Sequence, residues 1–261
     1  MRILAIGDVC GSIGCDTVRK ILPALKKEKK IDFTVINGEN SADGNGITPP
    51  SAEMLFSCGA DVITGGNHSL RRKEVFDLME ENSFLLRPDN LQSDLAGKGF
   101  CIVDCGCLSV AVINLAGNIY LENLNASSPF ERADALIERA KEQGAKIILV
   151  DFHAEATSEK RALGIYLDGK VSAFFGTHTH VQTNDAQILP CGTGYITDIG
   201  MTGPVQSVLG VKSSTIISRL KDKNTSEKFT LADGQCMLCG CIFEIDNKTG
   251  LTIATELINI L

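Results

Sequence analysis

The sequence predicts an α/β protein built on two packed sheets flanked by helices, and three observations predict it. Short unbroken apolar runs alternate with helix patterns through the first half of the chain, the signature of βαβ units on a mostly parallel sheet. A hairpin texture, with β-prone runs joined by glycine-containing turns, appears at 99–115 and again from Val211 to the end. The 261 residues, 44% of them hydrophobic, supply the core of one large α/β unit over 1–261, and no repeat or linker divides them.

The elements follow in order. Strands are expected at 2–7, 33–37, 61–64, 147–151 and 171–175, each an apolar run of the kind buried on both faces. Helices are expected at 16–29, 70–81 and 129–143. The last is the best punctuated: Ser128 stands at the N-cap, Pro129 at the first helical position, Glu131 three residues on to close a capping box, and Gly144 just past the end. The basic run Lys26-Lys27-Glu28-Lys29-Lys30 sits where cations complement a helix C-terminus. Hairpin turns fall at Gly106 and at Asn247-Lys248-Thr249-Gly250.

Composition excludes several classes. Lys+Arg 25 against Asp+Glu 32 gives a net charge of −7. Nothing supplies the broad basic field that a dedicated nucleic-acid surface or an anionic membrane would need. No stretch approaches the ~18 apolar residues of a membrane span. Asp8 interrupts the opening apolar run too early for a signal-peptide core, so a cytoplasmic protein is expected. Ten cysteines without an export signal read as thiols. A structural zinc on Cys101, Cys105, Cys107, Cys236, Cys239 and Cys241 is the alternative, but both clusters lie in apolar alternating segments where cysteine behaves as a buried hydrophobe. Exposed apolar patches, and with them any homo-oligomer, are not legible at this level.

The four histidines all fall at or just past expected strand ends: His68 after the strand at 61–64, His153 after 147–151, His178 and His180 after 171–175. Asp8 follows the first strand, Glu39 and Asn40 the second, and Asn67 adjoins His68. Carboxyl ends of parallel strands share one crevice, so these eight groups converge there. Gly176 is expected to end its strand, leaving His178-x-His180 in an extended loop with both rings pointing one way. Imidazoles, carboxylates and amide oxygens form a metal site's inventory, and eight candidates exceed what one tetrahedral ion takes. Two divalent ions sharing a carboxylate leave a small net positive charge at this rim, enough to attract a phosphate anion to an acidic protein.

These fragments carry a resemblance. Gly7-Asp8, Asn37-Gly38-Glu39-Asn40, Gly66-Asn67-His68, Asp151-Phe152-His153 and Gly176-Thr177-His178-Thr179-His180 occur in the order used by calcineurin-like metallophosphoesterases. Glu39 in place of the usual bridging Asp, the run from Asp151 to Lys160, the stretch 176–183, and Thr197-Asp198-Ile199-Gly200-Met201-Thr202-Gly203 resemble the YmdB-like bacterial phosphodiesterases. The resemblance spans nearly the whole chain. It implies a four-layer αββα sandwich of two mixed sheets around a dinuclear metal centre. It also assigns Asp8, Glu39, Asn40 and His180 to one metal and Glu39, Asn67, His153 and His178 to the other, with Glu39 bridging. His68 is left free of metal to assist the leaving oxygen after attack by a metal-bridging hydroxide. The implied substrate is a small phosphodiester, with 2′,3′-cyclic nucleotides the best-matched class.

The chain departs from the wider superfamily at Cys10, where many relatives carry His and where a packed thiol is expected here, and at Ser69-Leu70-Arg71-Arg72. Imidazole suits iron or zinc and the oxygen ligands also suit manganese; the resemblance favours iron or manganese, divalent or mixed-valence. The alternative reading is a non-catalytic nucleotide sensor using the same metal pocket, against which His68 speaks as a titratable group with no necessary place among the ligands. A dehydrogenase reading through Gly7-x-x-x-Gly11-x-x-Gly14 and Tyr166-x-x-x-Lys170 would set a pyrophosphate against Asp8. A β/α barrel is excluded by the late His-x-His and the hairpin-rich C-terminal third.

Overall fold

A computed structural model describes residues 1–222 and 225–261. The chain opens with β1 (Arg2–Ile6), β2 (Asp8–Val9), α1 (Gly11–Lys29), β3 (Phe33–Asn37), α2 (Pro49–Ser57), β4 (Val62–Thr64) and α3 (Phe76–Glu81). Its middle runs through β5 (Phe100–Asp104), β6 (Ser109–Ala116), α4 (Pro129–Glu142), β7 (Ile147–His153), α5 (Thr157–Tyr166), β8 (Ala173–Thr177), β9 (Gln187–Ile188) and β10 (Gly194–Ile196). The remainder comprises β11 (Met201–Pro204), β12 (Ser207–Val208), β13 (Val211–Lys212), α6 (Ser213–Lys221), β14 (Cys236–Ile245) and β15 (Thr252–Ile260).

Two mixed sheets result. The first has the order β2-β11-β14-β1-β3-β4, with β15 also paired to β14; the second runs β5-β6-β7-β8-β10-β9. Side-chain alternation along the strands sorts the core into three layers. Ile3 and Ala5 of β1 meet Val110, Val112, Leu149 and Phe175 of the opposite sheet. Leu4 and Ile6 of the same strand face Val18, Leu22 and Leu25 of α1. Across the molecule, Ile113, Ile148 and Val150 face Ala133, Leu136 and Ile137 of α4. Helix, sheet, sheet, helix is therefore the layering, as expected, and both sheets bury both faces.

Both expected hairpins form: β5 pairs antiparallel with β6, and β14 with β15. Several local expectations are corrected. Helix α1 starts at Gly11 rather than residue 16 because its cap comes from a distant residue: Asp43 accepts the Ser12 N–H at 2.8 Å. The helix expected at 70–81 is confined to α3, preceded by a 3₁₀ turn at Lys73–Val75. Upstream of it, Arg72 donates to the Asp43 and Asn45 carbonyls and so belongs to the loop. Helices α2, α5 and α6 were not expected, the last lying within a region read as hairpin. Of the capping box at α4, the half that forms is the Ser128 hydroxyl accepting the Glu131 N–H at 3.4 Å.

The remaining sequence motifs take structural roles. Cys101, Cys239 and Cys241 are buried in the apolar layers, and all ten cysteines are free thiols. Tyr166 and Lys170 both bond Asp134 on the outer face of α4, away from the strand ends. No helix among the described residues is long and apolar enough to cross a membrane.

Gly7, between β1 and β2, lets the chain pass beside Gly200 at the start of β11: a Cβ there would lie 2.0 Å from the Gly200 carbonyl oxygen. Overpacking against backbone cannot relax by rotamer change, so Gly7→Ala is expected to cost about 1–3 kcal/mol. Urea unfolding of variant and parent measures it.

Candidate metal centre

The carboxyl ends of β3, β4, β7 and β8, together with β2, place all eight expected residues around one cavity or directly beneath it. Asp8 lies in β2, paired with Met201 of β11. Glu39 and Asn40 follow β3, Asn67 and His68 follow β4, His153 is the last residue of β7, and His178 and His180 follow β8. Two details of the β8 end differ from expectation. The strand runs through Gly176 to Thr177, and the loop beyond is not extended, with His178 at φ 97° and His180 at φ 62°. Left-handed backbone of this kind is unfavourable for non-glycine residues and persists only where the surroundings impose it. Here Asp198 imposes it, accepting the Thr179 hydroxyl at 2.7 Å and the Thr179 N–H at 3.2 Å. Asp198 is itself held by the fully buried Lys160 at 2.7 Å.

His153, His178 and His180 each have one ring nitrogen pinned from behind. With Asp151 ionised, the Thr177 hydroxyl donates to it at 2.7 Å and accepts from His153 Nδ1–H at 3.0 Å, leaving a lone pair on His153 Nε2. Glu155 lies 2.9 Å from His178 Nε2, which turns Nδ1 inward. The Cys10 thiol touches His180 Nδ1 at 3.6 Å, leaving Nε2 to face Asp8 Oδ1 at 3.7 Å. Carboxylate or hydroxyl partners that fix the outer nitrogen are the usual means of orienting ligating imidazoles.

The inward atoms are acceptors without a proton to share. Around His153 Nε2 lie Asn67 Oδ1 at 2.9 Å, His178 Nδ1 at 2.9 Å and Glu39 Oε2 at 3.4 Å. Donor atoms of Glu39, His153 and His178 all lie within 4.8 Å of one another. Asp8 Oδ1 is fully buried with no hydrogen-bond partner. Gly66 completes the cradle, since a Cβ there would fall 2.3 Å from both Glu39 Oε2 and His153 Nε2. Converging lone pairs around buried carboxylates fit cations.

Electrostatics agree. Burial, reinforced by Glu39, raises Asp8 well above the usual carboxylate range. Burial acts the same way on Glu39, but hydrogen bonds from His68 hold that carboxyl low. Burial also keeps the imidazoles neutral, pushing His153 and His178 down and His180 to about 4. Neutral imidazoles are the form that ligates. Asn40 turns its Nδ2 to Glu39 at 2.7 Å and its Oδ1 to His68 Nδ1 at 2.9 Å, so a ligating oxygen needs the carboxamide flipped. Cys10 is a packed thiol, raised by burial and then by Asp8.

Sequence reading missed the supporting polar set: Asn37, Thr64, Asp151, Thr177, Glu155 and Asp198. The signal was present, because Asn37, Thr64 and Asp151 are the single polar residues that end three apolar runs. Above the site opens a cavity of about 750 Å³. Its floor includes Glu39, Asn40, His68, His178 and His180, with Arg71 at the side.

Four layers with histidines and carboxylates converging at the strand ends define the metallophosphoesterase fold class. Within it, the chain belongs to the YmdB-like family, whose family model, described as YmdB-like protein, matches residues 4–258. It is 48% identical to the 2′,3′-cyclic-nucleotide 2′-phosphodiesterase of Bacillus subtilis (strain 168), covering 98% of this chain and 96% of the relative. A crystal structure of a hypothetical protein from Thermus thermophilus superposes with a TM-score of 0.91 at 37% identity, covering 99% of this chain and 98% of that one. A crystal structure of a Mycoplasma pneumoniae protein described as a novel phosphatase gives a TM-score of 0.92 at 34% identity, covering 100% and 93%.

Asp151→Asn replaces one of the two oxygens that accept from Thr64 and Thr177 with an NH2 donor, so one hydroxyl loses its acceptor, and should cost about 1–3 kcal/mol. Burial raises the Asp151 carboxyl to about 7. Its contribution to stability is therefore complete below the unfolded value of about 3.9 and is lost as pH rises through about 7. In metal-free protein, the stability gap between parent and variant, measured by urea unfolding, should be wider at pH 5 than at pH 8.

Proposed function

We propose that residues 1–261 form one catalytic unit, a metal-dependent phosphodiesterase acting on small phosphodiesters, with 2′,3′-cyclic nucleotides as the best-matched substrates. The observation that carries this reading is the convergence of Asn67 Oδ1, His178 Nδ1 and Glu39 Oε2 on His153 Nε2 in a buried pocket. The name of the Bacillus subtilis relative supports the substrate class.

Asp8, Glu39, Asn40 and His180 would hold one ion, and Glu39, Asn67, His153 and His178 a second, with Glu39 shared. Iron or manganese suits this mixture of imidazole and oxygen donors, and zinc is compatible with it. When bound, such ions supply Lewis acidity toward phosphoryl oxygens and lower the pKa of coordinated water. The protein's own residues do the rest. The outward hydrogen bonds of His153, His178 and His180 preorganise the donors, so little reorganisation accompanies reaction.

His68 acts as general acid. Its Nδ1 lies 2.9 Å from the Asn40 carboxamide, which meets it with Oδ1 as it stands and would meet it with Nδ2 once flipped to ligate, and 3.3 Å from Glu39 Oε1, while its side chain, 25% exposed, reaches the cavity. Protonation of the leaving oxygen from such a position is worth about 10²–10⁴ in rate. Arg71, also at the cavity wall, supplies positive charge to an entering phosphate.

The test is hydrolysis of bis-p-nitrophenyl phosphate and 2′,3′-cyclic AMP by chelator-stripped protein, with manganese or ferrous iron restored. Activity should return with metal. Asp8→Ala should abolish it through lost metal, and His68→Ala should depress kcat by about 10²–10⁴ with metal content retained. Nucleotide binding without turnover under either metal would replace this reading with that of a sensor.

A further inference from the structure

The cavity has a second wall that the chemistry above does not use. Besides the histidines it is lined by Leu209, Ile216, Phe229 and Leu231, contributed by the β12–β13 turn, α6 and the segment that returns from it. This wall is built onto the site rather than hung over it. Leu231 packs where a Cβ on Gly11 would meet it at 2.6 Å, Gly210 lies against Cys10, and the Lys212 N–H bonds the Thr230 carbonyl at 2.9 Å.

Two features of the wall resist a purely structural account. Phe229 is 62% exposed although the Arg219 guanidinium already lies 4.0 Å from its ring centre. A ring pinned on one side and still open has area left for a flat ligand. Leu209 stands at φ 55° at the tip of a two-residue hairpin turn, followed by Gly210 at φ 84°, and is 54% exposed. That first turn position favours Asn, Asp or Gly, and a branched apolar side chain there is strained and half in water.

On the reading given under Proposed function, one end of the cavity takes a phosphodiester. We infer that Phe229, with Leu209, Ile216 and Leu231, forms a stacking wall for the base of a nucleoside phosphodiester, so that this protein selects nucleotides over other small cyclic esters. A volume of about 750 Å³ lies within the usual range of about 300–1,000 Å³ for sites that enclose small ligands. Phosphate at a polar floor and a planar base against an apolar wall match the two halves of the cavity.

The experiment compares kcat/KM for 2′,3′-cyclic AMP with that for methyl ribofuranoside 2,3-cyclic phosphate, the same cyclic ester without a base, using metal-loaded parent, Phe229→Ala, Phe229→Tyr and Leu209→Gly. The parent should prefer the nucleotide. The ratio should fall about tenfold in Phe229→Ala, the factor expected for one lost stacked base, through KM rather than kcat, and Phe229→Tyr should restore it. Leu209→Gly separates function from folding. Glycine accepts that backbone freely, so its thermal midpoint should hold or rise while its ratio falls. Calorimetric binding of adenosine 3′-monophosphate should weaken in parallel with the ratio. Equal kcat/KM for the two esters in the parent, or ratios unmoved in Phe229→Ala and Leu209→Gly, would overturn the stacking wall alone. A metal-loaded parent inert toward both esters would remove the phosphodiesterase reading and the wall with it.

Discussion

Burial of two carboxylates side by side is the constraint on which the rest of this structure depends. Asp8 and Glu39 are almost wholly withdrawn from water, at 0% and 1% exposure. A buried carboxylate is tolerable only when paired, protonated or bound to a cation. Hydrogen bonds serve Glu39 from Asn40 and the His68 backbone, but Asp8 Oδ1 has none. The surrounding imidazoles cannot neutralise the pair, because burial holds His153, His178 and His180 in their uncharged form. What is left is a buried pocket of converging lone pairs that a proton on the raised Asp8 carboxyl or a bound cation would satisfy.

The two sheets meet beneath this pocket through one buried polar cluster. Asn37 of the first sheet donates to Asp151 of the second at 3.1 Å, Thr64 of the first also bonds Asp151, and Thr177 of the second bonds both Asp151 and His153. Asp151 therefore ties the sheets together and orients His153, through Thr177, with the same carboxylate. Interactions of this sort, fully satisfied and buried, specify one arrangement of the layers. On the far side of the site, Lys160 and Asp198 hold the β8 loop in the left-handed backbone that brings His178 and His180 to the same place.

Much of this was legible in the sequence because strand ends are local signals. Each of the eight candidate residues stands within a few positions of an apolar run, and convergence then follows from how parallel strands are stacked. The missed parts are non-local. Helix α1 begins early because Asp43, 31 residues on, caps it. The loop bearing His178 and His180 departs from an extended path because Asp198 pins it, which no spacing rule encodes. Helix α2 did carry a signal, with Thr48 at the N-cap, Pro49 at the first helical position and Ser51 closing a capping box. The wall formed by Leu209 and Phe229 was invisible, since an apolar residue in a hairpin-rich segment reads as core until its exposure is known.

The central claim is that Asp8 and Glu39 are buried to hold two metal ions with Glu39 between them. Anomalous diffraction from crystals of the protein loaded with manganese tests it most directly. The account predicts two peaks about 3.5–4 Å apart on either side of the Glu39 carboxylate, one beside Asp8 and His180 and the other beside His153 and His178. A single peak, or none within reach of Asp8 Oδ1, would contradict it.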